Sequence, residues 1–347
     1  MGLSQSMDRF LPCLARRLPP FALLALAAVL AAPAQAADER ALADDGDRLA
    51  AADRAPDVPL PVQPAPARFL QDSEVNEDIL LPPARPQDDD PDRTWSRDYF
   101  GVAVGVISVP RYNGADDNRI LPGFYVRGRV SGYSFSTRGT NLQVNLIRQR
   151  SGRRLDWKFG PLVNLRSDRS GRVKDDQVDA LGKRKLAVEA GFSAGVSYTG
   201  VLTSKYDQIG ARVVALKDIS GRHGSWVVSP TVEYGTPISK RAFIGLSASV
   251  NIYGKGFGRY YYDIDPAGSA ASGLPVYDAA GRKTTVGKYQ IGLAGAYALS
   301  GDLRKGLALI GGLQYGRMAS RFARSPIVSI AGDRDQWIAG GGVAYQF

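Results

Sequence analysis

Through the last two-thirds of the chain, apolar residues alternate with small or polar ones at a period of two. Phe100, Val102, Val104 and Val106 oppose Gly101, Ala103 and Gly105. Leu186, Val188, Ala190, Phe192, Ala194, Val196 and Tyr198 oppose Glu189, Gly191, Ser193, Gly195 and Ser197. Trp226 to Tyr234 and Tyr289 to Leu299 repeat the pattern. So does the closing stretch, where Trp337, Ala339, Val343, Tyr345 and Phe347 oppose Gly340, Gly342, Ala344 and Gln346. Period two with one apolar row means a β-strand with one apolar face. Twelve stretches qualify, near 98–107, 121–130, 131–136, 140–148, 155–166, 185–198, 206–217, 225–236, 241–253, 286–299, 305–316 and 335–347. Most exceed the five or six residues usual for globular strands.

The second face decides the class. A soluble sandwich would make it fully polar, whereas here it is Gly, Ser and Ala with scattered charge. That suits a lumen, with the apolar face against lipid and aromatic residues at both ends of a strand. The prediction is an all-β, transmembrane, antiparallel up-and-down barrel of about twelve strands, with ten and fourteen as alternatives, over residues 95–347. It must close, because lipid cannot satisfy an open sheet edge. Connection lengths agree. Those after strands 1, 5, 9 and 11 are long (108–120, 167–184, 254–285 and 317–334), while 200–205, 237–240 and 300–304 are short. Short periplasmic turns and long outer loops are the barrel pattern. The short turn after strand 3 breaks it and makes that region the weakest assignment.

Composition adds a leader and an arm. Arg16 and Arg17 precede the apolar run Phe21–Leu30, and Ala34-Gln35-Ala36 reads as a small-x-small cleavage site, so residues 1–36 are read as a signal peptide. Cys13, the only cysteine, lies inside it and leaves the rest without disulfides or thiolate metal sites. Residues 38–93 carry 15 acidic and 6 basic side chains, a net of −9, against +17 from Thr94 onward. With nine prolines and little apolar content, residues 37–94 read as a disordered periplasmic arm. A sharper reading is that the arm recruits a partner or folds back onto the basic lumen.

Several segments resemble one family. Pro110-Arg111-Tyr112-Asn113-Gly114-Ala115-Asp116 is similar to the P-x-Y-x-G-x-D signature of the MltA-interacting protein (MipA)/OmpV family of outer-membrane proteins. Phe159-Gly160-Pro161 and Asp176 to Gly182 resemble two further segments. The longest match runs through Tyr260-Tyr261-Tyr262-Asp263, Ala271-Ser272-Gly273-Leu274-Pro275-Val276-Tyr277 and Ser325-Pro326-Ile327-Val328. The chain also stops on a phenylalanine, as such barrels typically do, so Tyr345 and Phe347 mark the strand read by the barrel-assembly machinery. The resemblance implies an outer-membrane, non-enzymatic scaffold linked to murein turnover, with a murein transglycosylase and a penicillin-binding protein as partners. Porin-like and adhesive members imply a diffusion channel as the alternative.

Candidate chemistry is sparse. His223, the only histidine, with Ser225 and Asp218 nearby, is the one place for a hydrolase or lipid A-modifying site; it reads as an exposed loop without other catalytic features. Arg166, Arg169, Arg172, Lys174, Lys183, Arg184 and Lys185 cluster round the second long loop, where they would meet lipopolysaccharide phosphates. Asp168, Asp175, Asp176 and Asp179 among them match no calcium loop, and no cofactor motif is read. Inward-facing Arg127, Arg129, Lys158 and Glu189 would either favour anions in a pore or pair and plug it. Tyr260 to Asp263 would constrict the mouth. Nucleic acid is excluded by compartment despite the basic pI.

Overall fold

The computed structural model describes residues 99–138, 140–148, 154–171, 173–300, 303 and 305–347. The leader (1–36), the acidic arm (37–94) and Arg172 lie outside the described residues. Twelve strands form: β1 (Tyr99–Pro110), β2 (Asn118–Val130), β3 (Tyr133–Arg138), β4 (Asn141–Asn145), β5 (Leu155–Arg166) and β6 (Ala187–Thr199), then β7 (Gln208–Asp218), β8 (Trp226–Pro237), β9 (Ala242–Tyr253), β10 (Thr285–Ala298), β11 (Gly306–Met318) and β12 (Asp335–Gln346). Each pairs antiparallel with its sequence neighbours. β12 pairs with β1 from Gly101↔Gln346 to Ser108↔Ala339, closing the barrel.

The two rows face as the alternation predicts. Val104, Val106, Phe192, Val232, Ile291 and Val343 are exposed on the outer wall, while Ala103, Ser193, Ser197, Thr231, Gln290 and Ala344 are buried inside. Outward aromatics gather at two heights. Trp226, Tyr289 and Trp337 ring the end with the long loops, while Trp157, Tyr198, Tyr297, Tyr345 and Phe347 ring the opposite, turn end. From Trp337 to Tyr345 the strand rises about 27 Å at ~3.4 Å per residue. Strand tilt reduces this toward the ~25 Å apolar band of a membrane barrel. The terminal residue belongs to the turn-end ring: Phe347 N–H donates to Phe100 O at 2.9 Å, and its ring lies 4.8 Å from Tyr345.

The weakest stretch in the sequence is also the least regular in the fold. β3 and β4 have six and five residues. β2 and β3 join through Ser131-Gly132, both with positive φ (54° and 85°), the two-residue hairpin geometry that fits strand twist. β4 keeps only three register pairs with β5 before bending away. Asn145 Oδ1 accepts the N–H groups of Ile147 and Phe159 across the bend.

At the turn end, the β6–β7 connection is built on Asp207. Its carboxylate accepts N–H donors of Val201 (2.6 Å), Leu202 (2.7 Å) and Thr203 (2.6 Å), and the Tyr234 hydroxyl at 3.0 Å. Burial alone would raise this carboxyl, but the backbone donors outweigh it and hold it below the usual carboxylate range. A group depressed in this way contributes stability above its unfolded pKa of about 3.9 and loses it as pH falls below that value. Asp207→Asn is therefore expected to cost about 1–2 kcal/mol at neutral pH. The gap to the parent should narrow below about pH 4; urea titration in detergent at two pH values measures both.

Candidate functional site: the loop cap

Four loops fold over one end of the barrel and pack on one another. The β5–β6 loop carries α1 (Asp176–Ala180). The β9–β10 loop carries α2 (Lys255–Tyr261), α3 (Pro266–Ser272) and a 3-10 turn at Ala280–Arg282. The β11–β12 loop carries α4 (Ser320–Ala323) and α5 (Pro326–Ser329), and the β1–β2 loop threads between them. Two apolar clusters result. One joins Val227, Tyr253, Phe257, Tyr261, Tyr262, Met318, Phe322 and Val328. The other joins Tyr112, Ala115, Val173, Val178, Ile264, Leu274, Ile327 and Ala331. Segments that read as loops are thus a second hydrophobic core, set across the mouth. Of Tyr260 to Asp263, Tyr261 and Tyr262 are almost fully buried in this packing.

The motif residues hold this cap together. Tyr112 donates its hydroxyl to Ala331 O at 2.9 Å. Gly114 N–H donates to Gln336 Oε1 at 3.0 Å, and Gln336 returns its amide to Ala115 O and Asp333 O. Only glycine fits at 114: φ is +108°, and a Cβ would stand 2.6 Å from Val328 Cγ2. Ser325 Oγ donates to Tyr262 O at 2.6 Å, and Pro326 starts α5. Ser272 Oγ donates to Gly268 O and accepts Leu274 N–H, while Gly273 ends α3 in the left-handed region. Tyr277 donates to Arg321 O at 2.6 Å. Pro110 is buried at the end of β1, while Asp116 is exposed. Gly160 and Pro161 lie away from the cap, in β5 at the β4 bend.

Asn113 had the look of a spacer in the motif and is a hub. Its N–H donates to Asp168 Oδ1, its amide NH2 to Tyr253 Oη, its side-chain oxygen accepts Lys288 Nζ, and its carbonyl accepts the Tyr262 hydroxyl, each at 3.1 Å. Four side chains from four parts of the chain meet on one residue. Sequence spacing offered only its place between Tyr112 and Gly114.

Below α2 the cap is bolted to the barrel wall. Glu189 is fully buried and accepts Arg166 Nε at 2.8 Å, Arg166 Nη2 at 3.1 Å and Asn164 Nδ2 at 2.8 Å. His223 Nε2 lies 3.0 Å from Glu189 Oε1, and His223 Nδ1 accepts the Ser225 N–H at 3.3 Å. With Nδ1 accepting, the ring proton sits on Nε2 and is donated to Glu189. Phe257 of α2 covers the group, 5.1 Å from the Arg166 guanidinium and edge-on to the imidazole at 5.3 Å. The expectation of an exposed His223 is corrected here: its side chain has no solvent exposure. Its ring faces Glu189 and a backbone amide, and Asp218 holds the backbone N–H groups of His223 and Gly224. This geometry ties the β7–β8 loop to the wall at Glu189.

The other candidates separate into inner and outer groups. Arg169, with φ of +55°, is buried and donates to Tyr261 O and Val178 O, joining the β5–β6 and β9–β10 loops. Arg184 stacks over Tyr260 at 5.1 Å. Lys174, Lys183 and Lys185 remain exposed on the outer face of the cap. Arg127 and Arg129 face the lumen near the turn end, 5.5 and 5.3 Å over the Tyr99 ring, and Arg127 donates to Gln346. Lys158 lies on the inward-facing row of β5, whose register places it opposite Gly195.

A family model, described as MltA-interacting protein MipA, matches residues 102–347. The chain belongs to the MipA family. The match takes in nearly the whole barrel and every cap motif. No curated protein matches the chain. Among solved structures, similar ones include an outer-membrane channel from Pseudomonas putida F1 (13% identity, TM-score 0.38, covering 76% of this chain and 100% of that one). An anion-selective porin from Comamonas acidovorans follows at 11% identity and TM-score 0.31, covering 72% and 100%. The toluene transporter TodX of Pseudomonas putida stands at 10% identity and TM-score 0.32, covering 72% and 89%. The protein is an outer-membrane β-barrel.

Proposed function

We propose that this protein is a capped, non-enzymatic barrel that serves the envelope as a scaffold for murein turnover, holding a murein transglycosylase at the outer membrane as the family name states for its namesake. The observation that carries this reading is the cap. Two apolar clusters and the Asn113 hub lie across the loop end, and the motif residues are spent on holding loops together. Exposed Lys174, Lys183 and Lys185 on the outer face would contact lipopolysaccharide phosphates as point charges. A penicillin-binding protein is the second partner the reading implies.

The channel reading keeps one supporting observation, the arginines of the lumen. Planar bilayers separate the two. The scaffold reading expects no unitary conductance steps from the purified chain, together with co-purification of murein-cleaving activity from the periplasm. Regular anion-selective steps, with no murein-cleaving activity in the eluate, would replace it by the channel.

A further inference from the structure

A groove of about 460 Å3 runs across the β9–β10 loop, between α2 and the 3-10 turn. Its volume falls within the ~300–1,000 Å3 of small-ligand sites. Hydrogen bonds fix its walls. Asp263 Oδ1 accepts the Ala280 N–H at 2.9 Å and Oδ2 the Gly281 N–H at 3.1 Å, which draws the 3-10 turn onto the end of α2. Ile264 and Tyr277 exchange N–H donors at 2.7 and 2.9 Å and supply the apolar part of the lining. Gly281 lets the two walls approach closely, since a Cβ there would stand 2.9 Å from Arg259 Cβ.

Six charged side chains line the groove, three of each sign, and they are not equivalent. Each carboxylate is already engaged. Asp263 holds its two amides, and Asp265 accepts the Gly268 N–H at 2.6 Å as the cap of α3. Asp278 grips Arg282 Nη2 with both oxygens at 2.6 Å. Among the described residues, Lys255 and Arg259 make no hydrogen bond or ion pair. Both are exposed on α2 and stand four residues apart, which puts them on one face with Cβ atoms about 5–6 Å apart. The side-chain donors left over therefore belong to two cations, and their complement is an anionic acceptor. A guanidinium offers a planar fork that matches the oxygens of a carboxylate or phosphate.

We propose that this groove binds a small organic anion, with its phosphate or carboxylate on Arg259 and Lys255 and its carbon body against Ile264 and Tyr277. An exposed ion pair alone is weak, so affinity comes from two cations acting on one charged group together with burial of the body. Free solutes and phosphorylated lipid heads share this chemistry. The inference stands whether or not the scaffold reading does.

Calorimetric titration of the full chain in detergent micelles, with phenyl phosphate as the probe, tests this. The parent should bind saturably. Arg259→Ala should weaken binding about tenfold and Lys255→Ala about threefold. Arg259→Lys keeps the charge without the fork and should fall between parent and alanine. Lys283→Ala removes an exposed cation of the same loop that does not line the groove, and should bind as the parent does. Inorganic phosphate has the charge without the body and should bind at least about threefold more weakly than phenyl phosphate. All three substituted side chains are exposed, so each variant should keep the parent's mobility on unheated gels. No saturable binding, an equal loss in Lys283→Ala, or equal affinity for inorganic phosphate would overturn the proposal. Added lipopolysaccharide separates the two sources. Displacement of phenyl phosphate assigns the charged group to a lipid head, no displacement assigns it to a free solute, and either result upholds the chemistry of the groove.

Discussion

Replacing Glu189 by alanine is expected to release the cap. The carboxylate is fully buried and holds the His223 ring at 3.0 Å, while also neutralising Arg166. Removing one member of a buried, hydrogen-bonded charge pair costs about 3–5 kcal/mol, because the other charge is stranded without water. Here the guanidinium that loses this carboxylate lies against Phe257 of α2, so the strain falls on the cap. The barrel wall, held by continuous backbone ladders on both sides of β6, has far more to lose and stays closed. A loss of this size raises the cap-open population by a factor on the order of a thousand. Limited proteolysis should then cut within residues 254–284 at a correspondingly higher rate, while the protein keeps its folded mobility on unheated gels. Asn164→Ala removes a single donor and should give a smaller effect of about 1.5–3 kcal/mol. Unchanged cleavage of that loop in Glu189→Ala would refute the bolt.

Gly160→Val is expected to fail earlier, at assembly. A Cβ on Gly160 would stand 1.8 Å from Val144 O and 2.9 Å from the carbonyl carbon behind it. Neither is a flexible side-chain end that can swing aside. β4 must move off β5, and their pairing rests on three register pairs, the Asn145 bridge and the flanking bonds Leu146 N–H to Phe159 O and Leu165 N–H to Thr140 O. Ordinary overpacking costs about 1–3 kcal/mol, and a backbone clash at the weakest seam of the barrel exceeds it. Folding into lipid vesicles, followed by the heat-modifiable gel shift, should show most of the chain unfolded. Pro161 explains why the neighbour is tolerated: a residue without an N–H fits where a strand leaves its partner. A Gly160→Val chain that folds in normal yield would show that the seam is more pliant than its geometry.

The barrel was legible because lipid imposes a simple rule. Each strand shows one apolar row, and all twelve predicted stretches are strands in the structure, with β5 at its predicted limits of 155–166. The ends of β3 and β4 blur because short strands at a bend carry few repeats of the pattern. The cap was not legible in the same way. Its helices are four to seven residues long, too short for a 3.6-residue period to declare itself. Its core is assembled from residues such as Tyr112, Leu274 and Ile327, which no local spacing relates. The family motifs did mark several of them, which is how Tyr112, Gly114, Ser272, Leu274, Tyr277 and Ser325 entered as candidates without roles. Asn113, Gln336 and the Glu189–His223 contact needed the fold, since each joins distant loops through hydrogen bonds that leave no periodic trace.

The ties between the first loop and the last have a consequence in time. Tyr112 and Gly114 bond to Ala331 and Gln336, more than 210 residues away in the chain. Contacts of such separation form late, after the closure entropy of the intervening chain has been met by other structure. The intervening structure is the barrel itself, so the loops find their partners only when β12 has reached β1. The cap is therefore completed last, and only on a barrel that has already closed.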